Sequence, residues 1–232
     1  MALRGLITDW GGVLTSPLAE AIGAWLAEDR IDVDGYRTIM RAWVSQAYAA
    51  DGDGSPGNPI HGLEDGSLQP AEFERLLAAE LRTVDGGPVA AEGLIRRMFQ
   101  MFQPVEEMYE AVRHARHGGV RTALLSNSWG NDYPRALFTE LFDAVVISCE
   151  VGLRKPDEQI FRHAAAALGL APAECVFIDD MEHNVRAAEA VGMTGVHHVS
   201  PAQTLAALAE LFPGSPADQD FGTRTGSAPD TL

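Results

Sequence analysis

Leu3-Arg-Gly-Leu-Ile-Thr8-Asp9-Trp10-Gly11-Gly12 reads as a short apolar strand that ends on a carboxylate and turns on two glycines. The same grammar returns in the second half of the chain. Val120–Leu125 runs into Ser126-Asn127-Ser128, Ala144–Ser148 leads toward Lys155, Cys175–Ile178 runs into Asp179-Asp180, and Gly195–Val199 forms a last strand. Between them lie helical patterns at Pro134–Phe142, Asp157–Leu168, Glu182–Val191 and Thr204–Leu211, two of them closed by Gly169 and Gly192. Short apolar strands alternating with helices specify an α/β fold with a doubly wound, mostly parallel sheet, Rossmann-like in its layering.

The alternation is interrupted after the first strand. From Pro17 to Phe102 the apolar residues recur at helical spacing, in Ala19–Leu26, Tyr36–Tyr48, Phe73–Leu81 and Leu94–Phe102. Residues 51–59 carry enough glycine, proline and aspartate to read as a loop. Pro104 reads as the first position of a helix that Gly118-Gly119 closes. The expected organisation is a core of residues 1–16 and 104–212, an inserted helical block at 17–103, and a disordered tail at 213–232, rich in Gly, Ser, Pro, Thr and Asp.

The formal charge is −16, with acids spread over the whole length. Phosphate polymers and anionic membranes would be repelled, so neither a nucleic-acid nor a membrane partner is expected. A small phosphorylated ligand in a local positive pocket remains compatible. Cys149 and Cys175 read as free thiols of a cytoplasmic protein rather than a disulfide. No secretory leader or membrane-length apolar run is present in the sequence.

Ligands of open α/β sheets bind at the carboxyl ends of the strands. Those ends here offer Asp9, Ser126 with Asn127, the loop carrying Lys155, and Asp179 with Asp180. Any one of them alone reads equally as a turn residue or a helix cap. Together they bring three carboxylates to one edge, where they repel unless protonated or neutralised by a cation. An oxygen-only donor set suits Mg²⁺. Lys155 is the only lysine against sixteen arginines, and an ammonium is a compact point charge where guanidinium is a wide fork. Mg²⁺ on one side, with Lys155, Ser126 and Asn127 on the other, would hold a phosphoryl group for attack by Asp9.

Asp9-Trp-Gly-Gly-Val-Leu14, Leu124-Leu-Ser126-Asn127, Gly152-Leu-Arg-Lys155-Pro156-Asp157 and Phe177-Ile-Asp179-Asp180-Met-Glu-His-Asn184 resemble, in order and spacing, the four motifs of the haloacid dehalogenase-like hydrolases. The resemblance extends to about residue 212, and the helical insertion looks like that superfamily's cap. The opening motif is similar to the phosphatase-like branch related to the N-terminal domain of soluble epoxide hydrolase. The resemblance implies that Asp9 is a nucleophile forming an aspartyl-phosphate. It implies that Ser126, Asn127 and Lys155 bind the phosphoryl oxygens. Asp9, Asp179 and the Gly11 backbone carbonyl would hold Mg²⁺, with Asp180 and Asn184 behind them. Trp10 is equally a substrate contact or a packing residue.

One departure stands out. Phosphatases of this superfamily usually carry a second aspartate two residues after the nucleophile, and here that position is Gly11. General acid–base help, worth about 10²–10⁴-fold, is missing from its usual place. Three readings follow: substrates with good leaving groups such as anomeric or acyl phosphates, a substitute water or side chain such as Glu64, Asp65, His61 or His183, or a catalytically impaired relative that binds or regulates. Two other family chemistries lack that aspartate. A haloacid dehalogenase, which uses the aspartate without metal, is the second enzyme reading, ranked below the phosphatase because those enzymes usually lack a pair like Asp179-Asp180, and phosphonoacetaldehyde hydrolases need a cap lysine that this chain does not have. His114 with His117, and His197 with His198, lack a third ligand at metal spacing. Trp25, Met40, Trp43 and Phe73 are expected in the core of the helical block.

Overall fold

The computed structural model describes residues 2–47, 58–130 and 133–213. Five strands form one sheet: β1 (Gly5–Thr8), β2 (Arg121–Ser126), β3 (Ala144–Ile147), β4 (Cys175–Asp179) and β5 (Thr194–His197). Their order is β3-β2-β1-β4-β5 and every pairing is parallel. A parallel sheet is covered on both faces, which is why β1 and β4 are buried at every position and read as continuous apolar runs.

Alternation along the strands divides the core. Leu6, Leu124, Val176 and Ile178 face one layer, packed by helices α6 (Glu106–His117), α7 (Arg135–Leu141) and α11 (Pro201–Leu211). Ile7, Ala123, Leu125 and Phe177 face the other, against α9 (Glu158–Ala167) and α10 (Glu182–Ala190). The chain lays β2 and β3 on one side of β1, then crosses to lay β4 and β5 on the other. The crevice beside β1 is therefore the topological switch point, where such sheets take ligands.

Between β1 and β2 the chain makes α1 (Leu18–Glu28), α2 (Val33–Ala47), α3 (Pro59–Asp65), α4 (Pro70–Glu80) and α5 (Leu94–Phe99). They share a separate apolar cluster that includes Trp25, Leu63, Phe73 and Leu94. Three sequence readings need correction. Pro104 does not open α6: it forms an isolated bridge with Thr15, and the helix begins at Glu106. Residues 51–57 of the expected loop lie outside the described residues, but Asn58 and Pro59 start α3, with the Asn58 side chain accepting from the Ile60 and His61 amides. An Asn-Pro pair is a helix-start signal as much as a loop signal. The strand ending near Ser148 stops at Ile147, and Ser148–Val151 forms a one-turn helix, α8. Of the expected tail, residues 214–232 lie outside the described residues. No helix among the described residues is long and apolar enough to cross a membrane, and both cysteines are free thiols.

Candidate active site

Asp9 follows the last residue of the central strand, and its backbone N–H donates to the Ile178 carbonyl at 2.9 Å. That bond continues the β1–β4 pairing one residue past the strand and fixes Asp9 beside Asp179. On the other flank β2 ends at Ser126. The turn after Asp9 depends on Gly12, whose φ is +74° and where a Cβ would lie 2.3 Å from Asp180 Oδ2. Gly11 is different: a Cβ there meets nothing within 4 Å.

Lys155 is 2% exposed, and its Nζ lies 2.9 Å from Asp9 Oδ1 and 2.6 Å from Asp179 Oδ2. Its backbone is clasped by Asn127, whose Oδ1 accepts from the Lys155 N–H at 2.8 Å and whose Nδ2 donates to the Lys155 carbonyl at 3.0 Å. The ammonium therefore does not sit to one side of the acidic group; it ties two of its members together. Asn127 thus uses its side-chain oxygen and one amide hydrogen to hold the lysine backbone.

The second acidic position also differs from the sequence reading. Asp179 is fully buried, and its carboxylate accepts from Lys155, from the Met181 N–H at 2.8 Å and from Asn184 Nδ2 at 3.1 and 3.2 Å. Asp180 is half-buried and lines the cavity over Asp9, whereas Asp179 is not among the lining residues. Asn184 therefore orients Asp179. Its remaining oxygen, Oδ1, is buried with no hydrogen-bond partner among the described residues, and Asn184 is one of the residues lining the cavity.

Each acid has an oxygen within 4.8 Å of one oxygen of the other two. Three carboxylates with one ammonium leave two formal negative charges. The electrostatics show the strain: burial, with Asp179 and Asp180 adding to it against Lys155, pushes the Asp9 carboxyl up to about 7. Burial and Asp179 push Asp180 up to about 6. Burial alone would pull the Lys155 ammonium down, but Asp179 and Asp9 outweigh it and hold it above its ordinary value. Oxygen donors, an excess charge of two and the orphaned Asn184 oxygen fit a divalent cation such as Mg²⁺.

Above this cluster lies a cavity of about 350 Å³. Ser126 Oγ is 3.0 Å from the Tyr133 hydroxyl at its edge. Trp10 lines the cavity while stacking on Phe99 and Phe102, so it serves as a wall and a packing residue at once. Met40, expected in the core of the helical block, also lines the cavity. Glu64 reaches it from α3. Its backbone carbonyl accepts from Ser148 Oγ at 2.5 Å, and its carboxylate meets Trp129 Nε1 and Arg154 Nη1 at 3.4 Å each. Burial raises the Glu64 carboxyl to about 7, against the pull of Arg154 and of the Trp129 N–H. His183 lines the cavity too, its imidazole held below its usual value by burial. His61 and Asp65 are not among the described lining residues. Neither Tyr133 nor the Glu64–Arg154 pair carries a local signal in the sequence, since both depend on contacts between distant segments.

A family model described as haloacid dehalogenase-like hydrolase matches residues 3–192. The chain is 30% identical over 235 residues to the mouse bifunctional epoxide hydrolase 2, covering 93% of this chain and 41% of that protein. It is 30% identical over 153 residues to the sesquiterpene phosphatase astK of Aspergillus oryzae, covering 64% of this chain and 76% of that one. Across the curated relatives it matches, the chain spans from 19% to 76% of their length. A HAD family enzyme of Bacteroides thetaiotaomicron, bt-2542, crystallised as a magnesium complex, shares the fold at a TM-score of 0.56 and 22% identity, over 85% of this chain and 93% of that one.

Proposed function

The chain belongs to the haloacid dehalogenase-like hydrolases, and from that premise we propose that it is a Mg²⁺-dependent phosphohydrolase acting through Asp9 on a small phosphorylated metabolite. The observation that carries this reading is the buried Asp9–Lys155–Asp179 contact with Asp180 beside it at the switch point. Phosphatases among the relatives support it.

In this reading Asp9, Asp180 and the Gly11 carbonyl hold the cation, and Asp179 anchors Lys155. That exchanges the two acids relative to the sequence reading, because the Asp179 oxygens are already engaged by three donors and Asp180 faces the cavity. The cation when bound neutralises the excess carboxylate charge and polarises the phosphoryl group. Asp9 attacks phosphorus, the bond to the leaving oxygen breaks, and the phosphoryl group rests on the Asp9 carboxylate. Ser126 Oγ, the Asn127 backbone N–H and the Lys155 ammonium receive its oxygens. Water then cleaves the aspartyl-phosphate and releases phosphate.

The leaving oxygen needs a proton that Gly11 does not supply. Glu64 is the substitute we favour. It lines the same cavity, and a carboxyl raised to about 7 still carries a proton near neutrality. The groups facing it are Arg154, Lys155, Trp129 and Asn127.

Hydrolysis of p-nitrophenyl phosphate tests the reaction, because its leaving group needs little protonation. Turnover that requires Mg²⁺ and is lost in Asp9→Asn is expected. Turnover indifferent to chelator or to Asp9→Asn overturns the reading, and no turnover at all points to a relative that binds without reacting.

A further inference from the structure

The cavity above Asp9 has one polar pole and a body of a different character. The pole is the strand-end cluster already described. Beyond it the walls are Leu18, Ile22, Met40, Val44, Ile60 and Met98, contributed by four helices of the block between β1 and β2, with aromatic rings closing the sides. Three of the polar groups there are engaged with protein, while Tyr36 and His183 also line the cavity. The Tyr133 hydroxyl meets Ser126, the Trp129 N–H meets Glu64, and Glu64 meets Arg154. The described lining contains no arginine and no lysine other than Lys155.

The same character continues to the mouth. Among the described residues, seven large hydrophobic side chains are exposed, and three of them, Leu18, Val44 and Met181, line this cavity. Apolar side chains grouped at the mouth of an apolar cavity extend the surface that an apolar ligand can cover.

These walls discriminate among phosphate esters. A sugar or polyol phosphate would bury hydroxyls where few partners are available, which is unfavourable. A nucleotide or polyphosphate would bring extra negative charge to a wall without cations, on a chain of charge −16. A phosphate monoester of a long-chain alcohol would place its head on the Lys155 cluster and its chain along the walls. We propose that this is the substrate class: a monophosphate carried on an extended apolar chain. The inference rests on the phosphohydrolase reading for the reaction but stands on the cavity walls for the choice of substrate.

Two measurements keep those apart. The first is calorimetric binding of n-alkylphosphonates from ethyl to dodecyl, which are not hydrolysed. Affinity is expected to rise about fourfold per methylene, the transfer free energy of one buried CH₂, until the enclosed space is filled. The second is kcat/KM for the matching alkyl phosphates beside glycerol 3-phosphate and glucose 6-phosphate, with p-nitrophenyl phosphate as the reaction control. Decyl phosphate is expected to exceed both polar esters by at least a hundredfold, and Val44→Asp at the rim to lower the decyl-to-ethyl ratio at least tenfold. An affinity that does not grow with chain length, or equal rates on glucose 6-phosphate, overturns the substrate class even if p-nitrophenyl phosphate is cleaved. Loss of the Mg²⁺- and Asp9-dependent control with chain-length binding intact overturns the reaction and leaves the ligand class standing.

Discussion

Replacing Lys155 by Met tests the centre of the site. Methionine keeps most of the volume and the contact with the Phe177 ring, over which the ammonium sits at 5.7 Å, so the apolar loss is small. What disappears is the charge that holds Asp9 at 2.9 Å and Asp179 at 2.6 Å. Breaking a buried ion pair by removing one partner costs about 3–5 kcal/mol, and here the partner left behind is a pair of carboxylates. The cost depends on pH. Asp9 already titrates at about 7 in the folded protein against an ordinary 3.8. A carboxyl raised on folding binds more protons in the native state than in the unfolded chain, so stability falls as pH rises from about 4 to about 7. Removing the ammonium raises the carboxyl further and steepens that fall. Urea unfolding with chelator present should therefore show a deficit near the full 3–5 kcal/mol at about pH 8 and a clearly smaller one at about pH 5.5. A deficit under about 1 kcal/mol at the higher pH, the level of an exposed ion pair, would mean that the ammonium does not hold the carboxylates as described. So would a deficit that grows on acidification.

Lys155→Arg forces a wide fork into a site with 2% exposure, and phosphatase kcat/KM should drop about 10²–10³-fold, the usual loss of one oxyanion donor; near-normal rates would mean that the point charge is not required. Gly11→Asp meets no atom within 4 Å of its new Cβ and adds an acid where Glu64 is already proposed to act, so it should change alkyl phosphate turnover little in the native background but restore about 10²-fold of it in Glu64→Gln, measured as the ratio to p-nitrophenyl phosphate. Glu64→Gln should lower alkyl phosphate turnover by a similar factor at about pH 6 and remove the decline in rate through about pH 7 that loss of the Glu64 proton would cause, while p-nitrophenyl phosphate responds much less. Gly12→Ala combines a φ of +74° with a Cβ 2.3 Å from Asp180 Oδ2. It should cost roughly 1–3 kcal/mol of stability and raise the Mg²⁺ concentration needed for half-maximal activity.

Much of the architecture was legible because parallel strands buried on both faces have a simple signature. β1, β2 and β4 stand out as short apolar runs that stop on polar residues, and α9 and α10 close on glycines at their C-termini. The misplacements are equally physical. Pro104 suits a first helical turn, but its partner in the bridge is Thr15, 89 residues away in sequence, and the local signal cannot register that contact. The one-turn helix at Ser148 is too short for periodicity to show; Ser148 Oγ is positioned by the Glu64 carbonyl and the Ser128 amide.

For the site, the sequence alone determined which chemical groups stand at the carboxyl ends of the strands, because strand ends are local features and the switch point follows from the alternation. It supplied Asp9, Ser126, Asn127, Lys155, Asp179, Asp180 and the glycine at position 11. How those groups divide the work depends on packing between distant segments. Asp179 turned inward to take three donors while the adjacent Asp180 turned to the cavity, Asn127 became a clamp on the lysine backbone, and Glu64 arrived from a helix 55 residues after Asp9. The reason is that neighbouring residues at a strand end point in different directions, and which direction meets solvent, a lysine or an apolar wall is set by segments far away in the chain.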